Sequence, residues 1–387
     1  MYKGKHEKRK ENKIPGGNDA PWAQILVFAI FLGALFVLHL ALPDKSLSGR
    51  ESLQTAPKFS FSALFSGQFT KQAEDYANDQ FPFRDDWITL KARSELLSGK
   101  GENNGVFLCA DETLLEPFSA PEPSELQTSL DAINALARNA GVPVYFALIP
   151  TAAELWADML PDGAPNDSQR ETIDAAYAAV SAADVKTVDV YAALAPHANE
   201  PVYYRTDHHW TTLGAYYGYT AIAEAMNFVP LPLDTYTGTV VTEEFYGTLW
   251  SASGFSWVKP DRITAYVEQG DAVITNYPQG FPVTGTLYDE SFLDAVDKYA
   301  WFYGGNTPLL TVETGNAGPK LLILRDSYMD SLSPYLFAHF SELHILDLRY
   351  YRASLKAYLD DQNFDAVLVC YSVKNFVEDN SIFLAGY

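Results

Sequence analysis

KLLILRDS (Lys320–Ser327), ELHILDLR (Glu342–Arg349) and FDAVLVCYSV (Phe364–Val373) follow one another at roughly 20-residue spacing, with helical stretches between them. Each run is nearly continuously apolar until it ends in polar residues. Continuous apolar strands alternating with helices belong to a parallel sheet covered on both faces. Upstream, VPVYFALIP (Val142–Pro150), a helical stretch near Ser168–Ala182 and VKTVDVY (Val185–Tyr191) keep the same rhythm. The expected class is therefore α/β.

Two stretches depart from it. KQAEDYANDQFPFRDDWITLKARSELLSG, before Lys100, predicts two helices broken at Pro82. The excursion Pro230–Pro319 is rich in Gly, Thr and aromatic residues, among them Phe245, Trp250, Trp257, Tyr288, Tyr299 and Trp301. Such rings could line a groove that stacks on sugars. The reading adopted for most of them is the small core of a β-rich insertion.

Composition and the N-terminus bound the compartment. Hydrophobic residues at 48% with charged ones at 20% exclude a disordered chain. Asp and Glu outnumber Lys and Arg, 49 to 27, for a net charge of −22. A surface that acidic, with no basic patch beyond the first residues, excludes nucleic acid as a partner. Residues 1–20 carry a local excess of Lys and Arg, and the uncharged run from Ile25 to Leu42 is at the lower end of what crosses a bilayer as a helix. The positive-inside rule then predicts a cytoplasmic tail over 1–20, a membrane anchor over 21–42, a stalk over 43–70 and an extracytoplasmic domain over 71–387. A cleaved signal peptide is the rival reading. The two cysteines, Cys109 and Cys370, form no disulfide framework and no C-x-x-C pair.

In open α/β sheets ligands bind beyond the carboxyl ends of the strands, where Asp326 and Ser327 close the first run quoted above. A serine at a strand-to-helix turn can act as a nucleophile, with the backbone N–H groups of Ser327 and Tyr328 facing an oxyanion. It can equally be a helix cap. The second constellation is YYRTDHHWT (Tyr203–Thr211), ahead of a helix starting near Thr211 or Thr212. In an extended loop residues i and i+2 point the same way, so Asp207 and His209 share a site while His208 faces elsewhere. Carboxylate, imidazole and hydroxyl are what acyl transfer requires. A divalent metal on Asp207, His208 and His209 is a rival, although adjacent histidines do not easily ligate one ion; a structural loop is another. No G-x-S-x-G, H-E-x-x-H or P-loop is found in the chain, and no cofactor is expected.

With these residues in view, the chain resembles the DHHW family of bacterial surface proteins, named for the run that stands here as Asp207–Trp210. The likeness includes DQFPFRDDW (Asp79–Trp87), ENNGVFL (Glu102–Leu108), LIPTAAELW (Leu148–Trp156), YGGN (Tyr303–Asn306), LLILRDSY (Leu321–Tyr328) and DLRYY (Asp347–Tyr351). That family in turn is similar to the periplasmic alginate O-acetyltransferases. The resemblance implies an SGNH-hydrolase-like (flavodoxin-like) parallel sheet sandwiched by helices, with the Asp-x-His pair ahead of the serine in a permuted order. It implies Ser327 as nucleophile, His209 as base, Asp207 as orienting acid and Asn306 as an oxyanion donor. Trp210, Arg205 and Arg349 are further candidates for contact with substrate. The chain departs from the commonest pattern in carrying Arg-Asp, not Gly-Asp, before the serine. The implied activity is transfer of acetyl groups to hydroxyls of a cell-surface polysaccharide, with a separate integral membrane acyltransferase as donor. A carbohydrate esterase using the same residues, or a non-catalytic polysaccharide-binding or assembly protein, are the alternatives.

Overall fold

Successive side chains of Lys320–Arg325 leave the strand on opposite faces, and both sets are apolar. Leu321 and Ile323 enter one hydrophobic core and Leu322 and Leu324 another, all four fully buried. A computed structural model, which describes residues 21–48, 51–180 and 184–386, supplies the cover that such a strand needs. The basic tail expected over residues 1–20 lies outside the described residues.

Eight strands make one sheet: β1 (Val144–Ile149), β2 (Lys186–Val188), β3 (Val273–Asn276), β4 (Val283–Gly285), β5 (Leu309–Glu313), β6 (Lys320–Arg325), β7 (Glu342–Leu346) and β8 (Ala366–Ser372). Their spatial order is β4-β3-β5-β7-β6-β8-β1-β2. From β7 to β2 every pairing is parallel. The helices Pro123–Asn139 and Gln169–Val180 pack Ile133, Leu136, Ile173 and Ala176 against one face, and Thr212–Met226 packs Tyr219 and Ile222 against the other.

The excursion does not build a core of its own. Its strands β3 and β4, with β5 beside them, extend the main sheet in antiparallel pairings. Tyr299, Trp301, Phe302 and Tyr303 join the same core as Leu321 and Ile323. Among the described residues, only a satellite cluster, in which Phe255 packs with Ala92, Val106 and Leu114, stands apart. Where the extra strands propagate the sheet, the aromatic residues have its face to cover, whereas Trp250 and Trp257 pack on the satellite cluster.

The chain divides into two compact units, Met1–Trp87 and Ile88–Tyr387. In the first, the helix Pro21–Ala41 is long and apolar enough to cross a membrane, with mean hydropathy 2.4 over Trp22–Ala41 and none of that stretch buried. Helices Gln68–Asp79 and Arg84–Leu97 flank the break at Pro82, where Phe83 takes a left-handed φ of 60°. Both cysteines, half-buried Cys109 and buried Cys370, are free thiols.

Candidate active site

The loop that carries Asp207 is held from both ends. Behind it, Thr211 caps the helix Thr212–Met226, its hydroxyl accepting from Gly214 N at 3.2 Å. Trp210 packs on that helix over Gly218, where a Cβ would sit 2.6 Å from the indole; only glycine lets the ring in. The indole Nε1 donates to the Tyr328 carbonyl at 2.9 Å, which pins the loop to the turn after β6. Trp210 is fully buried and so contacts core, not substrate, correcting that expectation.

The pinned loop brings three groups into line. His209 Nε2 is 2.7 Å from Ser327 Oγ, and His209 Nδ1 is 2.6 Å from Asp207 Oδ1. Because a carboxylate only accepts, Nδ1 carries the hydrogen and Nε2 is left to accept from the serine hydroxyl. The loop is bent, not extended: His209 N also donates to Asp207 Oδ1, at 2.9 Å, an Asx-type turn. Asp207 Oδ2 accepts from Thr248 N at 2.8 Å and Thr248 Oγ1 at 3.1 Å. That approach requires Gly247, where a Cβ would fall 2.2 Å from the Asp207 Cβ. The triad-like order is Asp207, His209, Ser327, and His209 and Ser327 keep little exposure, 5% and 9%.

The turn after β6 is organised by Asp326. Its Oδ1 accepts from Tyr328 N at 3.0 Å, and its Oδ2 from Ser372 N and Asn375 Nδ2, both at 2.8 Å. The Tyr328 N–H is thereby engaged, which removes it from the expected oxyanion donors; the Ser327 N–H donates to no acceptor among the described residues. Beneath the turn, buried Arg325 sends Nη1 to Asn306 Oδ1 at 2.9 Å and to Asp330 at 3.0 Å. Since a guanidinium only donates, the Asn306 carbonyl must face it, and the Asn306 amide N–H groups are the ones turned elsewhere. Burial pushes the Asp330 carboxyl up to about 6, against the pull of Arg325 in the other direction.

A family model described as SGNH hydrolase-like domain, acetyltransferase AlgX, matches residues 101–279, a span that takes in Asp207 and His209 and ends before Ser327. The probable alginate O-acetylase AlgJ of Pseudomonas syringae pv. tomato is 28% identical over 203 residues, 50% of this chain and 49% of that protein. The chain thus spans about half the length of the curated relatives it matches. A solved DHHW family protein from Eubacterium siraeum aligns at 25% identity and TM-score 0.63, covering 73% of this chain and 95% of that one. The chain thus has an SGNH hydrolase-like fold and is similar to a DHHW family protein. Bacillus cereus PatB1, solved with a sulfonyl adduct, shares the fold at 24% identity and TM-score 0.60, over 72% of this chain and 97% of its own.

Around the DHHW loop lie residues that spacing did not signal. Tyr299, from the excursion, stacks on His209 with centroids 3.8 Å apart and planes 7° apart, and its hydroxyl donates to Ser327 O at 3.2 Å. Burial drives the Tyr299 phenol far above its ordinary range, so it is a neutral donor. His208 does not face elsewhere: its ring lies 3.9 Å from that of His209, and its Nδ1 is 2.6 Å from Thr248 Oγ1. Thr248 Oγ1 gives its one hydrogen to Asp207, so His208 Nδ1 is the donor in that pair. Donor atoms of Asp207, His208 and His209 fall within 4.8 Å of one another, as a metal site needs. Yet both His209 nitrogens and His208 Nδ1 already face protein partners, and an ion would have to displace them.

The two arginines expected to meet substrate are occupied. Arg205 bonds to the carbonyls of Asp111, Lys259 and Pro260 and lies 3.3 Å from Asp261. Arg349 forms a bidentate pair with buried Asp347, at 2.9 and 2.7 Å. Arg205 holds backbone in place, and Arg349 is held by the Asp347 carboxylate. No periodicity links Thr248 or Tyr299 to the loop; Tyr299 stood out only as one aromatic residue among many.

Proposed function

We propose that the chain is a membrane-anchored extracytoplasmic O-acyltransferase that moves acetyl groups onto hydroxyls of a cell-surface polysaccharide. One observation carries the reading: Ser327 Oγ lies 2.7 Å from the only His209 nitrogen not bound to Asp207. Ser327 Oγ attacks the acetyl carbonyl as His209 Nε2 takes its proton, and the imidazolium that forms is stabilised by Asp207. The leaving group takes that proton from Nε2, which leaves an acetyl-serine and a neutral histidine. A sugar hydroxyl then attacks the ester while giving its proton to Nε2, and the proton returns to Ser327 Oγ as that oxygen departs. The Ser327 N–H and the Asn306 amide are the donors available to the tetrahedral oxyanion.

The AlgX description and the AlgJ relatives support acetyl as the group and a polysaccharide as the acceptor. The apolar helix Pro21–Ala41 behind a basic tail supports the anchor and the outward orientation of the domain. Delivery of acetyl to that side of the membrane calls for a separate integral membrane acyltransferase as donor.

The test is acid-quenched incubation of the detergent-solubilised full chain with a nitrophenyl acetate, followed by peptide mass analysis. An acetyl-sized gain on the Ser327 peptide, absent in Ser327→Ala, is expected. No adduct with several activated esters would leave a polysaccharide-binding or assembly role. Acetate released to water with none on added oligosaccharide would make the chain an esterase.

A further inference from the structure

A cleft of about 820 Å³ opens beside the DHHW loop, on the side of Tyr203, Tyr204 and Arg205. Ser327 and His209 do not line it; its tie to them is buried Tyr204, whose ring lies 6.5 Å by centroid from Tyr299, the ring that stacks on His209. Trp156, half-buried at the margin, is fixed by an Nε1 bond of 2.8 Å to Ala198 O and an edge contact with Tyr203, which gives the cleft a rigid flat face. Its charge is one-sided. Five carboxylates line it (Asp111, Asp158, Glu200, Glu243, Asp261) against two guanidiniums. Of those two, Arg205 is already engaged by Asp261 and three carbonyls, so that pair cancels and Arg262 faces the remaining four carboxylates.

The second cavity at the loop, about 300 Å³ beside His208, Thr248 and Tyr328, has the same bias. Its lysine, Lys374, is paired with Glu116 at 2.5 Å, and Glu378 adds a further negative charge. Behind both stands the chain's net charge of −22.

Resting on the acetyltransferase reading above, we infer that the acceptor is an uncharged polysaccharide bound along the Trp156 cleft, and that polyuronates are excluded from it. A uronate chain brings a negative charge with every sugar, and like charges facing across a cleft oppose binding. Neutral sugars meet no such field. Their hydroxyls donate to carboxylates, and their C–H faces pack on an aromatic face such as Trp156. The chain therefore differs in acceptor from what the names of its alginate-directed relatives would suggest.

The full chain in detergent, supplied with nitrophenyl acetate, is offered a neutral mannose hexamer or a mannuronate hexamer, and acetylated sugar is counted by mass. Transfer to the neutral oligomer should be at least about tenfold faster at low salt, and the gap should narrow toward 1 M salt as charges are screened. Reversing two exposed charges, Asp158→Lys with Glu243→Lys, should raise the uronate-to-neutral ratio by about tenfold or more. Equal or better transfer to mannuronate, a ratio that the reversal does not move, or no transfer to the neutral oligomer from acetylated Ser327 would each overturn the inference. A chain that never acetylates Ser327 fails the functional reading instead. Binding of the two hexamers, followed by tryptophan fluorescence, then decides the inference alone, and tighter binding of mannuronate would overturn it.

Discussion

Ser327 is held from two sides by different physics. On the loop side, Asp207 receives hydrogen bonds from His209 N, His209 Nδ1, Thr248 N and Thr248 Oγ1. A buried carboxylate so surrounded is held in one orientation. On the sheet side, Arg325 and Asp330 form a fully buried ion pair in which Arg325 Nε and Nη2 have no hydrogen-bond partner. The first arrangement satisfies every demand of a charge that works in a reaction. The second tolerates unmatched donors because its task is to hold a turn, and buried pairs of that kind cost much when split and little when replaced whole. Damage on the two sides should therefore surface in different measurements.

The sharpest separation comes from Ser327→Ala and His209→Ala. Each should lower nitrophenyl acetate turnover on the order of 10⁴-fold or more, and losing both should cost little beyond losing one. The urea midpoint should stay near wild type; a midpoint that fell with turnover would erase the distinction. Asp207→Asn should cost roughly 10³-fold in turnover, because the amide that replaces one oxygen sets N–H against an N–H of Thr248 or His209 and disturbs the tautomer.

On the sheet side the readout changes to stability. Arg325→Met leaves Asp330 buried without a counter-charge and should lower unfolding free energy by about 4 kcal/mol in urea titration, with part regained when Asp330→Leu is added. The Asp330 carboxyl, raised from 3.8 to about 6 chiefly by burial, sets a pH signature. A raised acid stabilises the fold fully below pH 4 and loses that contribution as pH rises through 6. Unfolding free energy of the wild type relative to Asp330→Asn should thus fall by about 2 kcal/mol from pH 4 to pH 6. The smallest effect belongs to His208→Ala, which loses the bond to Thr248 and ring contacts with His209 and Tyr328. A turnover decrease of about fivefold, equivalent to about 1 kcal/mol, is expected with the fold intact; a loss equal to that of His209→Ala would give His208 a direct part in the chemistry.

Particular residues mark how far the sequence could be read. The apolar runs ending in Ser327, Arg349 and Val373 are local signals, and they became β6, β7 and β8 with bounds a few residues shorter. Asp207 and His209 do meet, although through an Asx-type turn and not through the extended backbone assumed for them. That same bend is why His208, assigned to the other face, lies against His209. Thr248 and Tyr299 reach the site only by tertiary packing, so no periodicity in the chain marks them. The Arg that replaces the commoner Gly before Asp326 was visible as a departure, but its reason, the pair with Asp330 beneath the turn, needed the three-dimensional arrangement. Trp210 shows the opposite error: an aromatic residue beside candidate catalytic groups was a candidate for contact with substrate and is core.

The place of β8 in the sheet also governs how the molecule comes into being. It is the last of the eight strands in the chain, yet it lies between β6 and β1, with Val367 beside Val144 on one flank and Leu324 beside Val369 on the other. β1 and β2 cannot join the rest of the sheet until residues 366–372 have been made and delivered. Pairings so distant in sequence slow folding, because loop closure must precede the contacts that reward it. While β8 is missing, two apolar strand edges wait unpaired, the kind of surface on which chains aggregate. Asp326 receives the backbone N–H of Ser372 at the end of that strand, so the turn carrying Ser327 gains its final support only as the sheet closes, which makes the serine among the last features of the fold to take shape.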